Sequence, residues 1–402
     1  MTVRPAQAIA ALRGPFVVLK TLAVAVAGDY IKQARSNGPI PNPKVANARG
    51  AFILPMPPLP APGQCFDVAI AGAGPAGASL AGRLARQGMH VALLDAGAFP
   101  RDKLCGEFLS PEAWGILDRM GLSDDLAGSG YQAIDHLRLT TPGGRVIDAE
   151  IKGPDGRPGI GLSRSVLDAL LASWAVSAGA VFLERCRVSG PVNAGGRVIG
   201  LHARHPELGR FEVRAAVVVA ADGRHSPLVQ QTGTTRPRSR FRSRHFGLKR
   251  HLSISDPDAV EPSGTVGLHL VPGGYGGTCL IEGQVTNLCA LLPESALREY
   301  RGNLDRLADA WLDRNPALAR LRASGSPAAP WKAVSGVRVE VSTPRTPGIF
   351  YVGDCQGTVD PLGGQGMTMA LLGAELLVPF VERGLKAGAD ELLQRAALDA
   401  WH

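Results

Sequence analysis

The sequence predicts an α/β protein in which a nucleotide-type sheet of β–turn–α units carries an inserted antiparallel sheet. Two observations predict it. Three glycine-rich segments, far apart in the 402-residue chain, each follow a short apolar run: CFDVAIAGAGPAGASLAGRLARQGMHVALLDAG from Cys65 to Gly97, AAVVVAADGRHSPLV from Ala215 to Val229, and GIFYVGDCQGTVDPLGGQGMTMALLGAELL from Gly348 to Leu377. Between the second and third, the texture changes to short apolar runs separated by turn residues, the mark of antiparallel strands. A chain of this length also exceeds the size at which one core stops growing, so more than one domain is expected.

Residues 1–64 read as an N-terminal extension and Pro-rich linker. Phe16–Gly28 is apolar apart from Lys20 and Thr21, too short to span a bilayer, and suits a helix packed on the body or lying at a membrane surface. The run LPMPPLPAPG then reads as extended chain. The nucleotide-type domain begins at 65 and its first part ends at 235. Phe66–Ala71 and His90–Leu94 are its first strands, with a helix over Pro75–Gln87 between them. Helical patterns follow at Pro111–Met120 and Ser163–Ala178, where Ser163 caps the first turn. Leu137–Thr140, Val146–Ala149 and Ala180–Leu183 read as short strands. Val188–Ala203 is a hairpin around Gly195-Gly196, feeding a strand at Phe211–Val219.

The inserted domain spans 236–345. Arg244–Ile254, Gly264–Val271, Gly277–Glu282 and Val285–Leu291 are its strands, Pro293–Ala329 is mainly helical, and Val337–Val341 is a returning strand. The first domain resumes over 346–402, with helices at Met367–Leu385 and Ala389–Leu398.

Apolar residues at 45% and charged residues at 19% exclude a disordered chain. Six cysteines without short repeated spacing exclude a disulfide scaffold and a C-x-x-C metal site, so reduced thiols, a cytoplasmic location and no metal are expected. The formal charge of +8 favours anionic cofactors or substrates. Arg236, Arg238, Arg240, Arg242 and Arg244 recur every second residue, placing them on one face of an extended segment. Without interleaved stacking aromatics or a recognisable module, that face reads as solvated or as the rim of an anionic pocket, and no nucleic acid is expected.

The glycine segments carry the chemistry. In Gly72-Ala73-Gly74-Pro75-Ala76-Gly77 the first glycine permits a tight turn, the second lets backbone approach a pyrophosphate, and the third lets helix and strand pack closely. The helix N-terminus offers free amides and a favourable dipole to that diphosphate. Asp95, eighteen residues beyond Gly77, ends the second strand where it can hold ribose hydroxyls. In the third segment Gly353 allows a close turn and Asp354 can accept from ribitol hydroxyls, which FAD has and NAD lacks. Pro361, Gly363, Gly364 and Gly366 bring bare backbone against a flat ring, with Gln365 and Met367 at the same helix start. Amides there can stabilise negative charge on a reduced flavin. Asp222, Arg224 and Ser226 in the middle segment are further contacts, as is Arg164 for the diphosphate end. These residues predict one non-covalent FAD in a Rossmann-like domain.

At these motifs the chain resembles FAD-dependent monooxygenases of the para-hydroxybenzoate hydroxylase type and, more closely, the geranylgeranyl reductase group, with flavin-dependent halogenases as more distant relatives. The resemblance covers about 65–385 and includes FPRDKLCGEFLSPEA at 99–113, similar to a basic-Cys-Gly segment beside the flavin in the reductases. It implies that Arg101, Lys103, Cys105 and Gly106 lie near the cofactor and that Arg164 is the FAD-binding arginine. It also implies an antiparallel substrate domain. Halogenases carry W-x-W-x-I-P, which this chain lacks: Trp114, Trp174, Trp311, Trp331 and Trp401 are isolated. The reductase stretch P-x-x-Y-x-W-x-F-P is matched only by Pro272 and Tyr275, since Gly277 replaces its tryptophan.

The expectation is therefore an oxidoreductase. Monooxygenation of an apolar aromatic or polyketide-like small molecule is favoured, with double-bond reduction of an isoprenoid-like substrate as the alternative and a non-catalytic FAD protein as the rival class. Tyr275 is a candidate hydrogen-bond donor to substrate, and Cys105 a packing residue or weak donor beside the flavin. His269 alternates with Leu268 and Leu270 and so faces pocket or solvent. No second dinucleotide fold is visible, so NAD(P)H docks transiently, with the arginine-rich strand as a candidate dock, or a partner reductase supplies electrons.

Overall fold

The computed structural model describes residues 65–235, 245–255, 261–337, 340–344 and 346–388. The readings of 1–64, of the five alternating arginines and of a last helix at 389–398 lie outside the described residues. In chain order the first elements are β1 (Cys65–Ala71), α1 (Pro75–Arg86), β2 (Val91–Leu94), β3 (Phe108–Leu109), α2 (Ala113–Met120), α3 (Ser123–Ala127), β4 (Gln132–Ile134), β5 (His136–Thr140), β6 (Val146–Glu150) and β7 (Gly159–Gly161). Then follow α4 (Arg164–Ser177), β8 (Val181–Leu183), β9 (Arg187–Ala194), β10 (Arg197–His205), β11 (Gly209–Ala220), α5 (Pro227–Gln231) and β12 (Thr234–Thr235). The remainder comprises β13 (His245–Ile254), β14 (Thr265–Val271), β15 (Gly274–Ile281), β16 (Val285–Pro293), α6 (Glu294–Glu299), α7 (Leu304–Leu312), α8 (Pro316–Ser324), β17 (Gly325–Pro327) and β18 (Lys332–Val337). Last come β19 (Glu340–Val341), β20 (Thr343–Pro344), β21 (Ile349–Tyr351), β22 (Gly357–Thr358) and α9 (Gly366–Ala387).

The first sheet has the strand order β8-β2-β1-β11-β10-β9. β8, β2, β1 and the end of β11 run parallel, and β21 joins the far end of β11, also in parallel. Alternation along β1 sends Val68 and Ile70 into a core with α1, α2, α4 and α9, while Ala69 and Ala71 face a second core with β10, β11 and β21. Leu80 and Leu84 of α1 are fully buried, each contributing roughly 1.5–3 kcal/mol. α1 meets α4 at Gly82, where a Cβ would stand 2.2 Å from the Trp174 ring. Alanine there would force the helices apart. Ser163 caps α4 as expected, its hydroxyl accepting from the Val166 amide at 3.2 Å.

The second sheet runs β17-β13-β16-β15-β14-β5-β6, with β18 also on β13. Every pairing in it is antiparallel except β14 with β5. β5 and β6 come from residues 136–150, so this sheet draws on sequence before and after the middle glycine segment. Its register sorts the side chains onto two faces. One face carries Phe246, Leu248, Leu252, Val271, Leu288 and Leu292, sealed by Leu307, Trp311, Leu318 and Leu321 of α7 and α8. The other carries two cross-strand rows, Leu270–Tyr275–Leu291–Gly247 and Ile147–Leu139–Leu268–Gly277–Cys289–Lys249.

Three local expectations are corrected. His269 faces neither pocket nor solvent: it is buried on the helix-covered side, between Thr140 Oγ1 at 2.9 Å and Thr278 Oγ1 at 3.0 Å. β15 starts at Gly274, because that glycine pairs with Val271 and the turn is shorter than its glycine content suggests. The helical stretch ends at Ser324, after which β17 pairs with β13 and β18 forms earlier than the expected strand at 337–341.

Candidate active site

The cradle is built at the C-terminal end of β1. Gly72 has φ +98, and a Cβ on it would lie 2.4 Å from the Ala221 carbonyl oxygen. A Cβ on Gly77 would lie 1.8 Å from the Gly72 oxygen, so the turn, the β11 end and α1 pack as backbone on backbone. Gly74 is the α1 N-cap without a side-chain capping bond, and Pro75 occupies the first turn, where a missing amide costs nothing. The space beside Gly74 faces two guanidinium groups, Arg164 Nη2 at 3.6 Å and Arg101 Nη2 at 3.8 Å from where a Cβ would sit.

Asp168, fully buried, orients both arginines. It accepts from Arg164 Nε at 2.7 Å and Nη2 at 2.8 Å, and its Oδ2 is 3.3 Å from Arg101 Nη2. Burial works against the Arg164 charge, but Asp168 beside it outweighs that, and the pKa stands above its ordinary value. The Cys105 side chain lies beside the same guanidinium. Asp95 accepts from the Ala73 amide at 2.8 Å, the Gly97 amide at 2.8 Å and Arg101 Nη2 at 3.1 Å. Lys103 is exposed within the electrostatic reach of the same two acids.

The third segment forms the other side. Gly353 (φ +66) turns the chain after β21, and its missing Cβ would be 3.0 Å from Ala76 of the first segment. Asp354 is half-exposed, 3.5 Å from Arg224 Nε. Asp222 is more enclosed: burial raises its pKa, and it accepts from the Cys355 thiol at 3.2 Å. Asp360 caps the turn Pro361–Gly363, Gly364 (φ +62) closes it, and α9 begins at Gly366 with no side-chain cap on its first amides. Gln365 and buried Thr368 hydrogen-bond Ser110, which follows the Arg101–Glu107 segment, while Met367 enters the core. Gly106 lies 3.8 Å from Cys289 Sγ, measured from its missing Cβ.

Sequence reasoning missed Asp168, Glu107, Asp102 and Lys249. Asp168 stands four residues after Arg164 on one helix, a spacing that signals a pair. Glu107 and Lys249 are 142 residues apart, and only the fold joins them.

These residues fit a flavin dinucleotide. Arg101 Nε and Nη1 are buried without a hydrogen-bond partner among the described residues, beside a glycine whose side any Cβ would narrow. Two uncapped helix N-termini, α1 and α9, supply amides for a diphosphate and for a reducible ring. Such a fold and site define a flavoprotein of the FAD-dependent oxidoreductase superfamily. Residues 65–397 match the FAD-binding domain family, and the chain belongs to it.

Among curated relatives, a menaquinone reductase of Mycobacterium tuberculosis is 30% identical over 327 residues, covering 77% of this chain and 76% of the relative. A digeranylgeranylglycerophospholipid reductase of Methanopyrus kandleri is 28% identical, covering 76% and 78%. A 6-methylpretetramide 4-monooxygenase of Streptomyces rimosus is 26% identical, covering 82% and 78%. A myxobacterial chondrochloren halogenase superposes with TM-score 0.74 at 22% identity, covering 84% of this chain and 78% of that one. A geranylgeranyl bacteriochlorophyll reductase-like protein of Thermoplasma acidophilum gives 0.68 at 22%, covering 84% and 82%. These structures share the fold. No described helix is long and apolar enough to cross a membrane.

Proposed function

We propose that the chain is an FAD-dependent reductase that saturates a carbon–carbon double bond in an isoprenoid-like, largely apolar substrate. The observation that carries this reading is the row Gly277–Leu268–Leu139–Ile147. It crosses four strands in register, about 14 Å at the usual strand spacing. Its apolar members stay partly or fully exposed, with Ile147 at 62% on the edge strand. A long chain can lie along it with one end at Gly277 and the other leading out of the protein. The similarity to reductases of menaquinone and of a digeranylgeranyl lipid supports the same choice.

FAD, when bound, supplies the hydride and stores the electron pair. The protein's own part is positioning and one proton. Arg101, Arg164 and the α1 amides would hold the diphosphate, and Gly363–Gly366 would take the ring. Cys105 gives the proton to the second carbon and takes one back from solvent. Tyr275 keeps its proton, since burial and then the Asp360 carboxylate raise its pKa, and it orients substrate as a donor.

Holoprotein reduced anaerobically with dithionite, then mixed with polyprenylated lipids, is expected to yield a product heavier by two hydrogens, both of them deuterium when the solvent is D2O, because dithionite supplies electrons only. Substrate-dependent oxygen uptake with a product gaining one oxygen atom would replace this reading by monooxygenation, which the Streptomyces relative favours. NAD(P)H or a reductase partner is proposed as electron source, and flavin bleaching with each would identify it.

A further inference from the structure

We propose that Lys249 is a positioning residue for bound FAD: it fixes the Arg101–Glu107 segment on the second sheet so that Arg101, Lys103 and Cys105 face the cradle. The proposal rests on FAD binding alone, whichever reaction follows. Lys249 lies at the end of the row that carries Gly277 and Leu268, and it is 1% exposed. Its ammonium group donates to Asp102 Oδ1 at 2.6 Å, to the Lys103 carbonyl at 3.0 Å and to Glu107 Oε1 at 2.6 Å. All three acceptors belong to one six-residue stretch of the cofactor segment.

Neighbours on the same sheet face complete the hold. His251 Nε2 is 2.7 Å from Glu107 Oε2, Asn287 Nδ2 donates to the Cys105 carbonyl at 3.0 Å, and Lys332, opposite Lys249 on β18, reaches Asp102 at 2.6 Å. Burial alone would raise the Asp102 pKa, but the two ammonium groups hold it below the usual carboxylate range. Glu107 has φ +57, an uncommon conformation for a residue with a side chain, and it is fully buried. Lys249, His251 and the Arg164 amide, which donates to Glu107 Oε1 at 2.9 Å, hold it there. Glu107 thereby ties the second sheet to the start of α4, whose first residue turns its side chain to Gly74. Asp102, Glu107 and His251 converge closely enough to suggest a cation site, but the Lys249 ammonium already stands 2.6 Å from both carboxylates. It takes the place a metal would need.

The test is FAD affinity of the apoprotein, read by quenching of flavin fluorescence, together with the visible spectrum and the melting temperature. Lys249→Met with Glu107→Gln removes one positive and one negative charge, so no unpaired buried ion is left by the change. The double variant is expected to bind FAD at least tenfold more weakly, with a flavin spectrum moved toward that of free FAD and an apoprotein melting temperature within a few degrees of wild type. Asp102→Asn, which keeps the Lys249–Glu107 pair, is expected to lose affinity several-fold and serves if the double variant does not fold. Wild-type affinity and spectrum in either folded variant would overturn the proposal.

Discussion

Arg164 and Asp168 are joined by two parallel hydrogen bonds of 2.7 and 2.8 Å, one helical turn apart on α4. The same buried carboxylate lies 3.3 Å from Arg101, so one acid aims two guanidinium groups at Gly74. Asp168→Asn keeps the shape but loses the charge and one of the two acceptor oxygens, setting an amide N–H against an arginine donor. We expect a stability loss of about 3 kcal/mol, typical of breaking a buried ion pair, and FAD affinity at least tenfold lower. Chemical denaturation of the apoprotein and fluorescence titration would measure the two separately; unchanged affinity would remove Arg164 and Arg101 from the diphosphate site.

Two glycine substitutions separate packing from cofactor contact. Gly77→Ala puts a methyl group 1.8 Å from a backbone oxygen, so the apoprotein itself should be severely destabilised. Gly366→Ala meets nothing within 4 Å and should leave the apoprotein as stable or slightly more so, by up to about 1 kcal/mol. Its FAD affinity should nevertheless fall if the α9 N-terminus takes the ring as proposed, since a methyl group there would hold the ring off the backbone. Equal FAD binding by Gly366→Ala and wild type would place the ring elsewhere.

Glu261 predicts a pH dependence. Burial raises its pKa from about 4.5 to about 7, against the opposing bond from Thr278. Its folded form therefore holds a proton more tightly than its unfolded form. The stabilisation is complete below the unfolded value, is lost as pH rises through about 7, and is bounded at roughly 3 kcal/mol. Glu261→Gln carries no such dependence. Its melting temperature should gain on wild type by several degrees between pH 5 and pH 8. Parallel curves for the two proteins would show that Glu261 titrates normally.

Tyr275 Oη is buried without a hydrogen-bond partner among the described residues. Tyr275→Phe removes that unpaired hydroxyl and should leave stability unchanged or raise it by up to about 1 kcal/mol. Reoxidation of the reduced flavin by substrate should slow by about tenfold if the hydroxyl orients substrate, the loss of one donor. An unchanged rate would reduce Tyr275 to a wall of the cleft.

Much of the fold was legible because its signals are local. Val68 and Ile70 alternate with Ala69 and Ala71 inside a strand, and Gly77 is demanded by the Gly72 carbonyl five residues before it. The three-stranded arrangement of β3, β7 and β4 was not legible: these strands are two or three residues long, too short for alternation to register. His269 was misplaced for a related reason. Alternation shows that it opposes Leu268, but only α7 and α8, folded over that face, decide that the opposite side is a core.

The sequence by itself determined the nucleotide-type fold and its cradle, since backbone turns without Cβ atoms and helix starts after apolar strands are properties of contiguous residues. It also brought forward Arg164 and Cys105 through motif resemblance. Tertiary structure alone decided that Lys249 meets Asp102 and Glu107, that Asp168 serves two arginines, and that Leu139 and Leu268 form one row. Those contacts join residues separated by 67 to 147 positions, Leu139 and Leu268 through sheet register and the others through the 101–107 segment packed on the second sheet and on α4. Register is fixed by which faces the whole chain can bury, and no local window of sequence contains that balance.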